Sequence, residues 1–585
     1  MDTSRVNPDR LLPSDHYTRA VARRLYDHVK SAPILSPHGH VDAKTLADDN
    51  PFADPAALLV SSDHYVTRLL HANGVPLDRL RPPTDPREIW RELASRWYLF
   101  AGTPVRYWLE DELVEVFGIN VVPSAETSDA IYDSIAGLLE TPEFRPRALF
   151  RRFGISVLAT TDDPADDLEA HEELAEDPSF TGHVIPTFRA DRYMDPGNPD
   201  WRIYLLELAQ ASGIDCYTYG GLLDALRSRR TYFIEHGATS TDSGVPDAAA
   251  WPLSASEADR IHQERLKGTI TPEDAVAYRR NMLYRFAEMS TQDGLVMQLH
   301  PGVIRNHHKP TLEKYGPDTG HDLPDFTSFS RPLQTLLRDF GTHPNLHLVL
   351  FTVDETAFSR EIGPLAGFYP SVYAGAPWWF LDSPAGIARY RAAITDSAGF
   401  AKTSGFIDDT RAFCSIPARH DVSRRADASF LAELVMTHQL SESEAADIAV
   451  ALVQDIPART FKLEKYLRAA PAARVEQVQA NPLAPLVEPS ARVEQAIRAD
   501  TPVQAAVAPQ VAIPTPVATP VQVATPAQVA TPAQVATPAQ VAAPVQVAVP
   551  VQVAVPVPVG APAPVASTVQ PEPVLQSAPA SVSAA

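Results

Sequence analysis

PILSPHGHVD, residues 33–42, is the stretch from which the fold can be read. An apolar start, Pro33-Ile34-Leu35, runs into His38-Gly39-His40 and then Asp42. In an extended segment side chains two apart share a face, so His38 and His40 aim their imidazoles at one point. Two neutral imidazoles meeting in space are half of a divalent metal site. A histidine pair alone also suits a polar strand end that binds nothing. The weight of the motif depends on whether later strands end in the same way.

They do. The apolar runs 155–163 (ISVLATTDD), 183–191 (HVIPTFRAD), 294–302 (GLVMQLHPG), 346–355 (LHLVLFTVDE), 370–380 (PSVYAGAPWWF) and 404–411 (SGFIDDTR) recur along the chain. Each is apolar first and polar last, ending near Asp162, Arg189, His300, Asp354, Trp378 and Asp409. Helical patterns lie between them, at 200–212, 256–290 and 383–397. Alternating strands and helices predict a parallel sheet. Polar residues at the C-terminal ends of successive strands predict the α/β fold of a TIM-type (β/α)8 barrel, whose active site gathers there. A doubly wound open sheet would share that edge, but the glycine-rich phosphate loop that would favour it is missing. Residues 72–150 read as a helical insertion over the mouth, inside a barrel domain spanning 1–469.

The remainder, 470–585, has a different composition. After Tyr466 there is no Phe, Tyr or Trp, and 21 of the chain's 55 prolines fall there. Six-residue VATPAQ-like repeats space the prolines evenly from Pro520 to Pro556. Proline removes an N–H and disfavours helix in the residue before it. With no aromatic anchors, such a segment cannot bury enough surface to offset its ordering entropy. The reading is a disordered, Pro/Ala/Val-rich C-terminal tail, with nothing in it that names a partner.

The formal net charge of -22 over 585 residues argues against nucleic acid and anionic membranes as partners. Two cysteines, Cys216 and Cys414, make no disulfide framework and suit a reducing compartment. MDTSRVNPDRLLPSDHY at the start lacks the apolar core of a signal peptide. The expectation is a cytoplasmic protein, for which a homo-oligomer is equally compatible.

His38 and His40 would give a metal two ligands, with a third from another strand end, Asp409 or its competitor His300. Arg189, Arg305 and Arg411 each follow an apolar run, and planar guanidinium groups converging on one pocket favour an anionic substrate. Each Arg could instead pair with a neighbouring acid, such as Asp191 or Asp409. Asp409 and Arg411, two apart, share one side of an extended segment. Trp378-Trp379 offers a sugar-stacking platform or plain packing. Thr160-Thr161-Asp162-Asp163 could orient a ligand or cap a helix. His307 and His308 read as exposed.

In this order the motifs resemble the uronate isomerases, a family of the amidohydrolase superfamily of metal-dependent barrels, over most of residues 30–465. His38-Gly39-His40 is similar to the family's His-Cys-His element, and Asp63-His64-Tyr65 to its Asp-His-Tyr. TTDDPADDLEAH (160–171), Phe188-Arg189-Ala190-Asp191, Leu299-His300, Arg305-Asn306, GPDTG (316–320), Trp378-Trp379, Asp409-x-Arg411 and PARHDVSRR (417–425) complete the series. The resemblance implies interconversion of D-glucuronate with D-fructuronate, and of D-galacturonate with D-tagaturonate, through an enediol. It implies a divalent metal, zinc first, on His38, His40 and Asp409, with Asp409 also the general base. Arg411 and Tyr65 would stabilise the enediolate. Arg189 and Arg305 would hold the sugar's carboxylate and hydroxyls, with Asp242, His300 and Trp378 completing the pocket. The chain departs from the pattern at Ser243, where the family has a His after Asp242, and at Ala190, Val41-Asp42-Ala43 and the loop LHPGVIRNHHKP. A hydrolase of the same superfamily, or an inert scaffold with a recruiting tail, are the competing readings. The Arg set and the lack of a Lys ending any middle run disfavour a two-metal hydrolase.

Overall fold

The structure, a computed structural model, describes residues 6–468, so the tail expected over 470–585 lies outside the described residues. Eight extended segments close into one ring. Ile34–Ser36 pairs in parallel with Ile155–Ala159, which pairs in parallel with His183–Ile185. Pro186 has no N–H to give a ladder and splits the third segment; the chain resumes as Phe188–Arg189, bridged to the second through Asp162. Parallel pairing then passes to Ser240–Ser243, Val296–Leu299, Leu348–Leu350 and Val372–Ala374. Ala374 bridges Thr403, and His40 N–H donates to the Thr410 carbonyl at 3.0 Å, joining the last segment to the first. The fold is the TIM-type (β/α)8 barrel.

The run 404–411 differs from the expected strand. Gly405 (φ 74°) and Asp409 (φ 42°) carry it out of the extended region, so it meets its neighbours at single points rather than along a ladder. A Cβ at residue 405 would also stand 2.8 Å from Pro457. The stretch 256–290 is two helices, Ala255–Lys267 and Pro272–Asp293, because Gly268 (φ 77°) ends the first and Thr271-Pro272 opens the second. Trp201–Ser212 and Pro384–Ala398 form where their patterns predict.

Strand alternation divides the core. Leu35, Val157, Ala159, Val296, Val349, Phe351 and Tyr373 fill the barrel, while Ile34, Leu158, Met297, Leu299, Leu348 and Leu350 face the surrounding helices. Ala458, Phe461 and Leu463 join the inner cluster from below. Lys462 holds them there, its ammonium donating to the carbonyls of Gly294 and Asn345 (2.6 and 2.7 Å) just before two strands begin. The end that the polar residues occupy is thus the open one.

Between Asn73 and Phe153 the chain forms helices and no strand, among them Pro86–Ser95, Pro104–Asp111, Ser128–Leu139 and Pro146–Arg152. Trp90, Trp97, Phe100 and Trp108 of this segment are buried against the barrel's outer core. The helices His16–Val29, Ile416–Met436 and Glu442–Val453 pack together through Val21, Leu25, Leu431 and Leu452. Among the described residues no helix is long and apolar enough to cross a membrane. Because Phe461 plugs the closed end, Phe461→Ala should lower unfolding free energy by about 3–5 kcal/mol. An unchanged urea midpoint would show that the plug contributes no stability.

Candidate active site

Ten residues singled out by the sequence, His38, His40, Tyr65, Arg189, Asp242, His300, Arg305, Trp378, Asp409 and Arg411, line one cavity of about 350 Å³ at the open end of the barrel. They come from separate barrel segments and the loops beyond them, so only ring closure brings them together.

His38 and His40 extend the first strand, with Nε2 atoms 3.3 and 2.9 Å from the same oxygen, Oδ1 of Asp409. Neither contact has hydrogen-bond alignment, and that buried oxygen is without a hydrogen-bond partner, as is His38 Nδ1. Burial penalises the Asp409 charge, but the two imidazoles outweigh it and hold the carboxyl well below the ordinary range. Asp409 adopts a left-handed backbone, which costs a non-glycine residue about 1–2 kcal/mol. Asn306, Asp318 and Trp379, also at the cavity wall, share that conformation. Strain of this kind persists where the surroundings over-determine a functional geometry.

Asp242 stands on the strand Ser240–Ser243 and accepts from His300 Nδ1 at 2.7 Å. This leaves a lone pair on His300 Nε2, a buried atom without a partner. Ligand atoms of His38, His300 and Asp409 all lie within 4.8 Å of one another. Imidazole and carboxylate donors with no thiol among them, three of their buried atoms unpartnered, fit a borderline divalent ion. The geometric trio contains His300, the competing third ligand, and His40 adjoins it through Asp409. Ser243, where the family pattern has His, follows Asp242 on an alternating strand and is outside the cavity lining.

The arginines have acid partners, as the alternative reading allowed. Arg189 NH1 meets Asp242 Oδ2 at 3.1 Å and its Nε donates to Asp191 at 2.8 Å. A Cβ at residue 244 would fall 2.6 Å from the Arg189 guanidinium, so Gly244 is what admits it. Arg305 pairs with Asp322 (2.9 Å) and Arg411 with Asp318 (3.1 Å). With side chains 44 % and 41 % exposed, these two keep open faces at the rim, and Arg189 lies deeper. Trp378 and His300 meet edge to face, ring centres 4.8 Å apart. Asp162 lies outside the lining: it accepts from Thr160 Oγ1 and Thr187 N–H, and burial pushes its carboxyl up to about 7. Asp163 closes a turn by accepting from Ala165 N–H. Asp354 is likewise outside, and His307 and His308 are exposed.

Asp382 and Arg419 line the cavity although the sequence pattern gave them no part. Tyr65 donates to both Asp382 oxygens at 3.0 and 3.1 Å, and Arg419 pairs with Asp382 at 3.1 Å. Arg419 stands inside the family-like segment 417–425, which is the one available signal. Asp382 has none, since it ends no apolar run.

Comparison with known proteins shows the family. A sequence model of the family "Glucuronate isomerase" matches residues 12–462. The uronate isomerase of Corynebacterium efficiens is 50 % identical over 469 residues, covering 79 % of this chain and 100 % of that protein. The crystal structure of glucuronate isomerase from Caulobacter crescentus superposes with a TM-score of 0.77 at 46 % identity, covering 78 % of this chain and 97 % of that one. The uronate isomerase of Thermotoga maritima gives 0.74 at 30 % identity, covering 78 % and 99 %. These matches run the length of isomerases, which removes the support for the hydrolase alternative, and the chain belongs to the glucuronate (uronate) isomerase family.

Proposed function

We propose that this enzyme interconverts D-glucuronate with D-fructuronate, and D-galacturonate with D-tagaturonate, by proton transfer through an enediol in the cytoplasm. The observation that carries the reading is Asp409: an ionised, strained carboxylate beside paired histidines, in a cavity rimmed by arginines. A cavity of about 350 Å³ suits one small, open-chain sugar acid.

In this reading His38, His40 and Asp409 hold a divalent ion, with zinc proposed and His300 Nε2 a further donor within reach. Such an ion, when bound, polarises the oxygens of the sugar. Arg189 and Arg305 hold the sugar's carboxylate and adjoining hydroxyls; each guanidinium has five N–H groups, more than its acid partners use. Trp378 and Asp242 complete the wall that orients the chain, and His300 is kept neutral by burial and aligned by Asp242. Asp409 takes the proton from C2 and returns it to C1. Arg411, two residues on, and Tyr65 stabilise the charge that develops on the enediolate oxygens. Holding both ends of a flexible open chain supplies much of the acceleration.

Proton NMR of the purified protein with each uronate in deuterated water should show ketouronate forming, with deuterium entering at the isomerised carbon. No conversion of either sugar with zinc supplied would overturn the assignment. Asp409→Asn should lower kcat by about 10²–10⁴-fold, the range for loss of a general base. Metal analysis should separate the two histidine choices: His38→Asn and His40→Asn should lose bound zinc while His300→Asn retains it. Zinc kept in His40→Asn and lost in His300→Asn would make His300, not His40, the ligand.

A further inference from the structure

Tyr65 lies in the first turn of the helix His64–Ala72, and Asp63 caps it by accepting from Tyr65 N–H at 2.8 Å. The hydroxyl of Tyr65 is almost fully engaged on the protein side. It donates to Asp382 and accepts from Phe380 N–H at 3.2 Å. A phenol oxygen carries one proton and two lone pairs, so one lone pair is left, and Tyr65 lines the cavity. Toward the sugar, then, this group first accepts, and it donates to an enediolate oxygen only once its own proton has passed to Asp382 and a sugar proton has taken its place.

Asp382 is buried, with Arg419 as its cationic partner. Arg419 is fixed in turn from three sides. Its Nε donates to Ser415 Oγ at 3.0 Å, its NH1 reaches the Asp408 carbonyl at 3.4 Å, and its guanidinium stacks 3.7 Å from Trp108. Trp108 belongs to the helical segment between Asn73 and Phe153, and Asp408 precedes Asp409. One rigid chain thus links that segment to the phenol at the cavity wall.

The environment pushes both Tyr65 and Asp382 toward their protonated forms. Burial pushes the Asp382 carboxyl up, with Arg419 opposing it, and burial followed by the Asp382 charge pushes the phenol well above its ordinary value. A scaffold pair in the core would need no opening to the cavity; this pair has one.

We propose that Asp382, backed by Arg419, is a positioning residue for the isomerisation: it turns a lone pair of Tyr65 toward the sugar and takes up the phenol's proton when Tyr65 accepts one. In that step a sugar O–H bond breaks and its electron pair stays on the sugar oxygen. The proton forms a new O–H bond on Tyr65 as the phenol's original O–H breaks, and that proton bonds to a carboxylate oxygen of Asp382. The reverse transfer delivers a proton to the neighbouring sugar oxygen, and the pair returns to its starting state within each turnover. The inference rests on the part given to Tyr65 in the proposed function.

The test is steady-state kinetics of Tyr65→Phe, Asp382→Asn and the double variant in the full-length, zinc-supplied enzyme. Asp382→Asn should lower kcat by about 10–100-fold, the scale of a misplaced catalytic group, with KM within about twofold. The double variant should be no slower than Tyr65→Phe alone, because a group acting only through Tyr65 has nothing left to act on. Losses that add, or a raised KM with kcat unchanged, would overturn the inference. If Tyr65→Phe is slow and Asp382→Asn is not, the inference alone is lost; if Tyr65→Phe keeps wild-type kcat, the role of Tyr65 fails first. Should Asp382→Asn not fold, Arg419→Lys carries the test: a drop in kcat that vanishes in the Tyr65→Phe background supports the chain, and a drop that persists there overturns it.

Discussion

One hydrogen bond, from His40 N–H to the Thr410 carbonyl, closes the barrel and sets the active site. It joins the first extended segment to the last, so that side chains of residues 38 and 40 face the carboxylate of residue 409. Regular strand pairing could not produce this meeting, because the last segment turns through left-handed backbone at Gly405 and Asp409. The ring has no edge to slip along, and its register is held from both neighbours. The strained conformation of Asp409 is tolerated only inside such a closed frame.

Around that seam the charges are arranged in pairs that share a low-dielectric space. Asp242 stands between His300 and Arg189, and Arg189 between Asp242 and Asp191. Asp382 stands between Tyr65 and Arg419. Taking one partner away would leave a buried charge uncompensated, a loss of several kcal/mol. The pairs therefore do two things at once: they make the burial of so many ionised groups tolerable, and they lock the orientation of the groups that face the cavity. The arginines nearest solvent, Arg305 and Arg411, each combine an acid contact with an open face, as groups that meet an incoming anion require.

Much of this arrangement is legible in the amino-acid sequence. The His-x-His pair, the polar residue ending each apolar run and the string of arginines all follow from local period and composition, and the residues they single out for the site line one cavity. The departures share a cause. The stretch 256–290 looks continuous because hydrophobic period does not register a left-handed glycine before a helix cap. The run 404–411 looks like a strand because its apolar pattern is strand-like while its backbone turns through left-handed conformations at Gly405 and Asp409. Asp162 and Asp354 end their runs as the others do, yet they lie outside the cavity, Asp162 held by Thr160 and Thr187 and Asp354 by Thr356.

The layers, the parallel order and the kinds of chemical group presented at one end are properties of the chain read locally, because they depend on side-chain alternation and on residues adjacent in sequence. Which groups pair is a property of the closed ring. Whether His40 or His300 stands with His38 and Asp409 depends on distances across the barrel. So does the placement of Asp382 behind Tyr65, two residues 317 positions apart in the chain. Electrostatic pairing falls off within a few ångströms, and no local pattern in a chain encodes separations across a closed barrel.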